Sequence, residues 1–274
     1  MRTNVTTKTI RQAKGVRQIA CLTAYDALTA RLADMGGVDL ILVGDSVGNT
    51  VLGFESSVHV TLEMMEHHTA AAARARPAAL LVADVPFCVA HEDVPSVLRS
   101  CARLIRAGAR AVKVEGGVKL APVVGALVEA GIPVCGHVGL QPQQVHRLGG
   151  YRKFGDAEAE SVLADARAME AAGAFAIVGE MLGKGLAARL RDALSVPLIG
   201  IGSGVDCDGQ VLVIHDLLGL TETPPPFAKP RVDLAASAVG AIAGWVADVR
   251  ALPNSAPTSS PATPKAEIST HIPL

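Results

Sequence analysis

The sequence predicts a closed (β/α)8 barrel, the TIM-barrel class of α/β fold. Three observations lead there. Short apolar runs alternate with longer amphipathic stretches through most of the chain. Eight such runs occur within one domain's length. Nearly every run leads into a reactive or ionisable residue. Strand–helix alternation implies parallel pairing through right-handed crossovers. Eight parallel strands close into a barrel whose working side chains sit at the C-terminal strand ends. An open, doubly wound sheet is the alternative that the same alternation allows.

The strand candidates are residues 18–23, 39–43, 79–83, 111–114, 132–135, 174–178, 196–201 and 210–214. Helical patterning covers 26–36, 61–75, 93–107, 119–130, 157–172 and 184–193, with a final helix at about 233–250. Gly108 and Gly131 follow Ala107 and Ala130 where a helix must stop in a left-handed cap. Pro133 and Pro197 then open strands 5 and 7, where a missing N–H is tolerable. The expected organisation is a single catalytic domain over residues 1–250. A Pro-, Ser- and Thr-rich tail over 251–274 lacks periodicity and reads as flexible.

Composition agrees with buried parallel strands under small-residue helices. Half of the 274 residues are hydrophobic, yet only 3% are aromatic, so Ala, Val, Leu and Ile must build the core. The formal net charge of -1 gives no basic excess and argues against non-specific nucleic-acid binding. The cysteines Cys21, Cys88, Cys101, Cys135 and Cys207 are odd in number and show no C-x-x-C pair. A disulfide framework or structural zinc is therefore not expected, and a reducing cytosol is. Residues 1–14 are polar and Thr-rich, without an apolar signal core. No uncharged apolar run approaches the roughly 20 residues of a membrane span. The expected location is cytoplasmic.

Asp45, Asp84 and Glu115 follow consecutive strands, so a barrel makes them neighbours. Carboxylates with ordinary pKa values of about 4 repel one another when crowded at neutral pH. A hard cation such as Mg²⁺ would offset that, with water and substrate oxygens completing an octahedron. Helix capping or pairing with a base is the plainer use of each carboxylate. Lys113 and Glu115 lie two residues apart in a strand and share its inner face, while Val112 and Val114 point outward to the helices. Lys113 could hold a substrate carboxylate or keto oxygen, act as a Schiff-base nucleophile, or form an ion pair with Glu115. His137 could donate to a developing oxyanion or be structural. Glu180 follows the apolar run Phe175-Ala176-Ile177-Val178. An apolar wall raises a carboxyl pKa and suits a general acid or base; helix capping is its other reading.

Weaker signals surround these. Gly200-Ile201-Gly202-Ser203-Gly204 is either a phosphate cradle or a tight turn. Glu63, Glu66, His67 and His68 read as a solvated helix face. Gly149-Gly150-Tyr151-Arg152-Lys153-Phe154-Gly155 reads as a mobile, positively charged rim loop.

Seven motifs then occur in order: Leu22-Thr23-Ala24-Tyr25-Asp26, Leu42-Val43-Gly44-Asp45-Ser46-Val47-Gly48, Ala83-Asp84-Val85-Pro86-Phe87, Val112-Lys113-Val114-Glu115-Gly116-Gly117, Val134-Cys135-Gly136-His137-Val138-Gly139-Leu140, Gly200-Ile201-Gly202-Ser203-Gly204 and Asp208-Gly209-Gln210-Val211-Leu212-Val213-Ile214-His215-Asp216. The series closely resembles the ketopantoate hydroxymethyltransferase family over about residues 15–245. The resemblance implies a pantothenate-pathway enzyme. It would move a one-carbon unit from 5,10-methylenetetrahydrofolate to 2-oxoisovalerate, giving ketopantoate. By motif match, Asp45, Asp84 and Glu115 correspond to the family's magnesium site, with Asp45 and Asp84 also close to substrate. Ser46 and Lys113 would hold the keto acid, His137 would line its pocket, and Glu180 would accept the proton. The family forms large homo-oligomers, commonly decamers. This chain departs from the family pattern at Arg152-Lys153-Phe154-Gly155, at His59, and beside Glu180, at Gly179 and Met181-Leu182-Gly183.

Three rival readings remain. One is a magnesium-dependent 2-keto acid lyase of the isocitrate-lyase and phosphoenolpyruvate-mutase type, although Ile132-Pro133-Val134, not a basic residue, precedes Cys135-Gly136-His137. Another is a Schiff-base aldolase using Lys113. The third is a non-catalytic barrel paralogue.

Overall fold

The computed structural model describes residues 3–252. These fall into two compact units, one ending at Val232 and the other starting at Asp233.

The first unit is a closed barrel of eight parallel strands in sequential order, with β8 pairing back onto β1. The strands are β1 (Ile19–Thr23), β2 (Leu40–Val43), β3 (Leu80–Asp84), β4 (Ala111–Glu115), β5 (Val134–Gly139), β6 (Ala176–Glu180), β7 (Leu198–Ile201) and β8 (Gly209–Leu212). The helices are α1 (Thr7–Ala13), α2 (Ala27–Met35), the single turn α3 (Val47–Thr50), α4 (Leu62–Ala73), α5 (Val94–Arg106), α6 (Ala121–Glu129), the single turn α7 (Val145–Leu148), α8 (Ala159–Ala171), α9 (Lys184–Ala193) and the single turn α10 (Ile214–Leu217). The barrel prediction therefore holds, and the open sheet does not form. Among the described residues no helix is long and apolar enough to cross a membrane.

Period-two alternation sorts the strand side chains into two cores. Leu40, Leu42, Leu80, Val82, Ala176, Val178 and Ile199 fill the barrel lumen. Ile41, Val43, Leu81, Val112, Val114, Val134 and Ile177 face the helices, where small residues such as Ala33, Ala72, Ala166 and Ala187 let the helices approach closely. Val112 and Val114 thus point outward, as expected, and Lys113 and Glu115 inward.

The strand boundaries need correction where polar residues interrupt the apolar run. The apolar run predicts that strand 5 stops at residue 135, yet β5 runs on through Gly136, His137 and Gly139. Ladders from both neighbours, β4 and β6, hold that weakly strand-forming stretch. Strand 6 likewise ends on Glu180 rather than Val178. Asp84, Glu115, His137 and Glu180 are therefore held within strands.

Residues 4–14 also hold more than their polar composition suggested. Thr6 caps α1 reciprocally with Thr9, while Val5, Ile10 and Ala13 bury themselves among the lumen side chains. The helix plugs the N-terminal end of the barrel, tied there by Val5 N–H to the Ala78 carbonyl at 2.8 Å. Gly108 and Gly131 take the expected positive φ after α5 and α6.

Gly139 is a different case. Its φ is +85°, and a Cβ there would strike the Glu180 carbonyl oxygen, with Leu182 Cδ2 2.8 Å away. Gly139→Ala combines left-handed strain with a backbone clash beneath Glu180. It is expected to cost about 2–4 kcal/mol in urea unfolding. A cost below about 0.5 kcal/mol would contradict this packing.

In the second unit, α11 (Leu234–Arg250) starts at Asp233, whose side chain accepts from Ala236 N–H. The expected final helix over 233–250 matches it closely. The expected tail lies outside the described residues from 253 onward.

Candidate active site

The C-terminal strand ends enclose a cavity of about 390 Å³ lined by Asp45, Ser46, Asp84, Lys113, Glu115, His137 and Glu180 among others. Every site residue expected from the sequence therefore reaches one cavity. Strand register explains the order. Asp84 is the Cα partner of Lys113, Glu115 of His137, and Gly139 of Glu180.

Lys113 Nζ stands 3.1 Å from Asp84 Oδ1, 3.5 Å from Glu115 Oε1 and 3.3 Å from His137 Nδ1. The Asp84 contact is an ion pair out of line for a hydrogen bond, so Asp84 Oδ1 has no hydrogen-bond partner. Burial opposes the lysine's charge, but Asp84, Glu115 and Asp45 outweigh it and raise its pKa. Lys113 is thus a held cation, unlike the neutral amine a Schiff-base nucleophile needs.

His137 bridges two carboxylates: Nδ1 lies 3.1 Å from Glu115 Oε1 and Nε2 lies 3.3 Å from Glu180 Oε2. Burial and the Lys113 charge push its pKa down, yet Glu115 and Glu180 prevail and lift it to about 9. Burial also works against the Glu115 charge. His137, Lys113 and the Gln143 N–H overcome it and hold Glu115 down at about 2.

Asp45 and Asp84 behave in the opposite way. Burial first, then repulsion from Asp84 and Glu115, pushes the Asp45 carboxyl well above its ordinary value. Burial raises Asp84 too, against the pull of Lys113. The Asp45 backbone N–H donates to Asp84 Oδ2 at 3.1 Å, and both residues line the cavity. This pair meets the Lys113 ammonium at Asp84, 3.1 Å away. Its oxygen donors suit Mg²⁺, which is commonly bound by one or two carboxylates plus water and substrate oxygens. Among the described residues no three of His, Cys, Asp and Glu are grouped as a ready cation cage. Glu115, expected as the third ligand, also meets Lys113, His137 and the Gln143 N–H.

Gln143 carried no sequence signal, being uncharged and beyond the strand end. Its side chain donates to Asp45 Oδ2 at 2.8 Å and to the Val85 carbonyl at 2.9 Å. It straps the loop after β5 over the carboxylate pair. Tyr25, buried beside β1, makes a 2.9 Å hydrogen bond to the Ser46 hydroxyl.

The weaker signals resolve as well. Ser203 is an internal tie: its hydroxyl donates to the Gly179 carbonyl at 2.7 Å and accepts from Leu182 N–H. The Gly-rich segment is thus a tight turn. The helix face at Glu63 and Glu66 is not merely solvated, because both carboxylates pair with Arg103. His68 Nδ1 lies 2.8 Å from the Tyr25 carbonyl. In the rim loop, the Arg152 guanidinium pairs with Glu158 and stacks 4.4 Å over Phe154. Two segments that depart from the family pattern meet here. Phe154 N–H donates to the Met181 carbonyl at 2.8 Å, and Gly183 N–H to the Phe154 carbonyl at 2.7 Å. They form one patch bordering Glu180.

The barrel, with a buried lysine–carboxylate–histidine site at its C-terminal rim, has the layout of a parallel-barrel enzyme. Comparison with known proteins narrows the class. The ketopantoate hydroxymethyltransferase family model matches residues 4–254, and the chain belongs to that family. A 3-methyl-2-oxobutanoate hydroxymethyltransferase of Pyrobaculum calidifontis is 52% identical over 248 residues, covering 90% of this chain and 94% of that one. The enzyme of the same name from Hyperthermus butylicus is 54% identical over 253 residues, covering 91% and 88%. Among solved structures, phosphonopyruvate hydrolase in complex with oxalate and Mg²⁺ superposes with a TM-score of 0.62 at 16% identity, covering 90% and 87%. A 2,3-dimethylmalate lyase of the phosphoenolpyruvate mutase and isocitrate lyase superfamily gives 0.59 at 16% identity, covering 96% and 93%. At that identity the structural likeness speaks for the fold alone. The chain is a transferase by family.

Proposed function

We propose that this protein transfers a hydroxymethyl group from 5,10-methylenetetrahydrofolate to 2-oxoisovalerate, giving ketopantoate for pantothenate synthesis. One observation carries the reading. A held cation, the buried carboxyl pair Asp45 and Asp84, and the carboxylate Glu180 converge on one cavity. A 2-keto acid offers the matching groups: two oxygen functions for the charged floor and an acidic C3–H beside them.

Asp45, Asp84 and Glu115 would hold magnesium. Mg²⁺ bound there supplies Lewis acidity to the keto oxygen. Lys113 adds a fixed positive charge where the enolate oxygen develops. Ser46, its hydroxyl oriented by Tyr25, binds the substrate's oxygens. Glu180 takes the C3 proton, and His137 at 3.3 Å steadies the carboxylate that does so. Water adds to the folate's methylene carbon and both its C–N bonds break, so tetrahydrofolate leaves with its nitrogens protonated by the water's hydrogens and the carbon remains at the formaldehyde level. The electron pair left on C3 adds to that carbon, its C=O bond opens, and the proton held by Glu180 returns to the oxygen as the hydroxyl hydrogen.

Tyr25→Phe removes one buried hydrogen bond and frees the Ser46 hydroxyl to rotate. The expected result is a several-fold rise in KM for the keto acid and about 1 kcal/mol less stability in urea. Unchanged KM would detach Tyr25 from the substrate site.

The deciding experiment is NMR of 2-oxoisovalerate in D₂O with purified protein, with and without Mg²⁺, then with methylenetetrahydrofolate. Metal-dependent loss of the C3 proton signal, followed by folate-dependent ketopantoate, supports the reading. Neither event from folded protein overturns it.

A further inference from the structure

The groups assigned to the keto acid come from β2 to β6, and they leave much of the cavity unused. The wall on the β7–β8 side is apolar, formed by Ile201, Val211, Val213, Pro225, Pro226 and Phe227. A cavity of about 390 Å³ is larger than a branched keto acid of a few carbons requires. One carboxylate borders this apolar half. Asp216 lines the cavity and is only 5% exposed. Its Oδ1 accepts from the Thr221 hydroxyl at 2.6 Å. Among the described residues, Oδ2 receives no hydrogen bond and no lysine or arginine pairs with the group. A buried carboxylate without a cation is costly unless a ligand's donors meet it.

The complementary ligand is a flat ring with two N–H donors side by side on one edge. Each carboxylate oxygen can accept twice, so Thr221 leaves room for both. Phe227 and the paired prolines Pro225 and Pro226 offer flat apolar surfaces to such a ring. A 2-amino-4-oxopyrimidine edge has this pattern, in its ring N3–H and its 2-amino group. We propose that Asp216 anchors the tetrahydropterin ring of the one-carbon donor by accepting from these two groups. This assignment rests on the folate reading above. It puts the donor on the β7–β8 side of the cavity.

The test uses calorimetric binding of two probes to the full chain: tetrahydrofolate, and its analogue lacking the 2-amino group. A hydrogen bond to a charged acceptor discriminates by about tenfold or more. Wild-type protein is expected to prefer tetrahydrofolate by at least that factor. Asp216→Asn keeps an acceptor for Thr221 but replaces one carboxylate oxygen with an amide. It is expected to weaken tetrahydrofolate by about tenfold and to bring the two probes level. A thermal unfolding profile like that of the wild type checks its fold. If wild-type protein binds both probes equally, or if Asp216→Asn binds tetrahydrofolate as tightly as wild type, the assignment of Asp216 is overturned and the folate reading stands. If wild-type protein binds neither probe, both fall together. The wild-type comparison decides even if the variant does not fold.

Discussion

Glu180→Gln is expected to slow C3 proton exchange on 2-oxoisovalerate by about 10²- to 10⁴-fold, the usual worth of a positioned general base. Gln has nearly the same shape and keeps an oxygen toward His137 Nε2, now 3.3 Å from Glu180 Oε2. Keto-acid affinity should therefore change little while the exchange rate collapses. Deuterium incorporation by NMR measures the first quantity and calorimetry the second. Glu180 is well placed for this work: the last residue of β6, mostly buried but open to the cavity. Exchange at the wild-type rate in Glu180→Gln would remove it as the base and turn attention to His137.

Lys113→Met carries the largest expected stability effect. The lysine is buried in the midst of Asp84, Glu115 and His137. Methionine fills much of the same volume but brings no charge. Removing one partner of a buried charge group costs about 3–5 kcal/mol, because the remaining charges stay desolvated and unpaired. Urea unfolding of the metal-free protein should show that loss. On the proposed function, keto-acid binding should weaken with it, since the cation proposed to face the substrate oxygens is gone. A loss under about 1 kcal/mol would mean that Asp84 and Glu115 do not depend on this lysine. The Schiff-base reading differs at the same residue. With its pKa raised by the surrounding carboxylates, Lys113 should form no borohydride-trapped adduct with 2-oxoisovalerate. An adduct would restore that reading.

These expectations treat the site as a charge balance rather than a set of separate residues. Glu115 illustrates the difference. By spacing alone it joined Asp45 and Asp84 as a cation ligand. In the fold it is drawn to Lys113, His137 and the Gln143 N–H. Burial raises the carboxyl pKa values of Asp45 and Asp84 instead, although Lys113 stands 3.1 Å from Asp84. Gln143, which ties Asp45 to the loop after β5, had no signal of its own. An amide's role is set by the partner it finds, and that partner lies far along the chain.

Sequence by itself determined the barrel, its strand order and the inward set Asp45, Asp84, Lys113, Glu115, His137 and Glu180. Period-two alternation and apolar runs are local properties, and the closed barrel follows from repeating one local unit eight times. Only the tertiary structure decided where β5 and β6 end, since ladders from both flanking strands outweigh the weak strand preference of Gly136 to Gly139. It also decided that α1 plugs the barrel, because two buried side chains in a polar helix leave too faint a pattern to read. Above all it decided which charges meet. Lys113 is held charged by the carboxylates around it, and Asp45 is pressed towards its neutral form by burial and repulsion. Pairings of this kind are set by distances of a few ångströms between residues tens of positions apart, which no local pattern encodes.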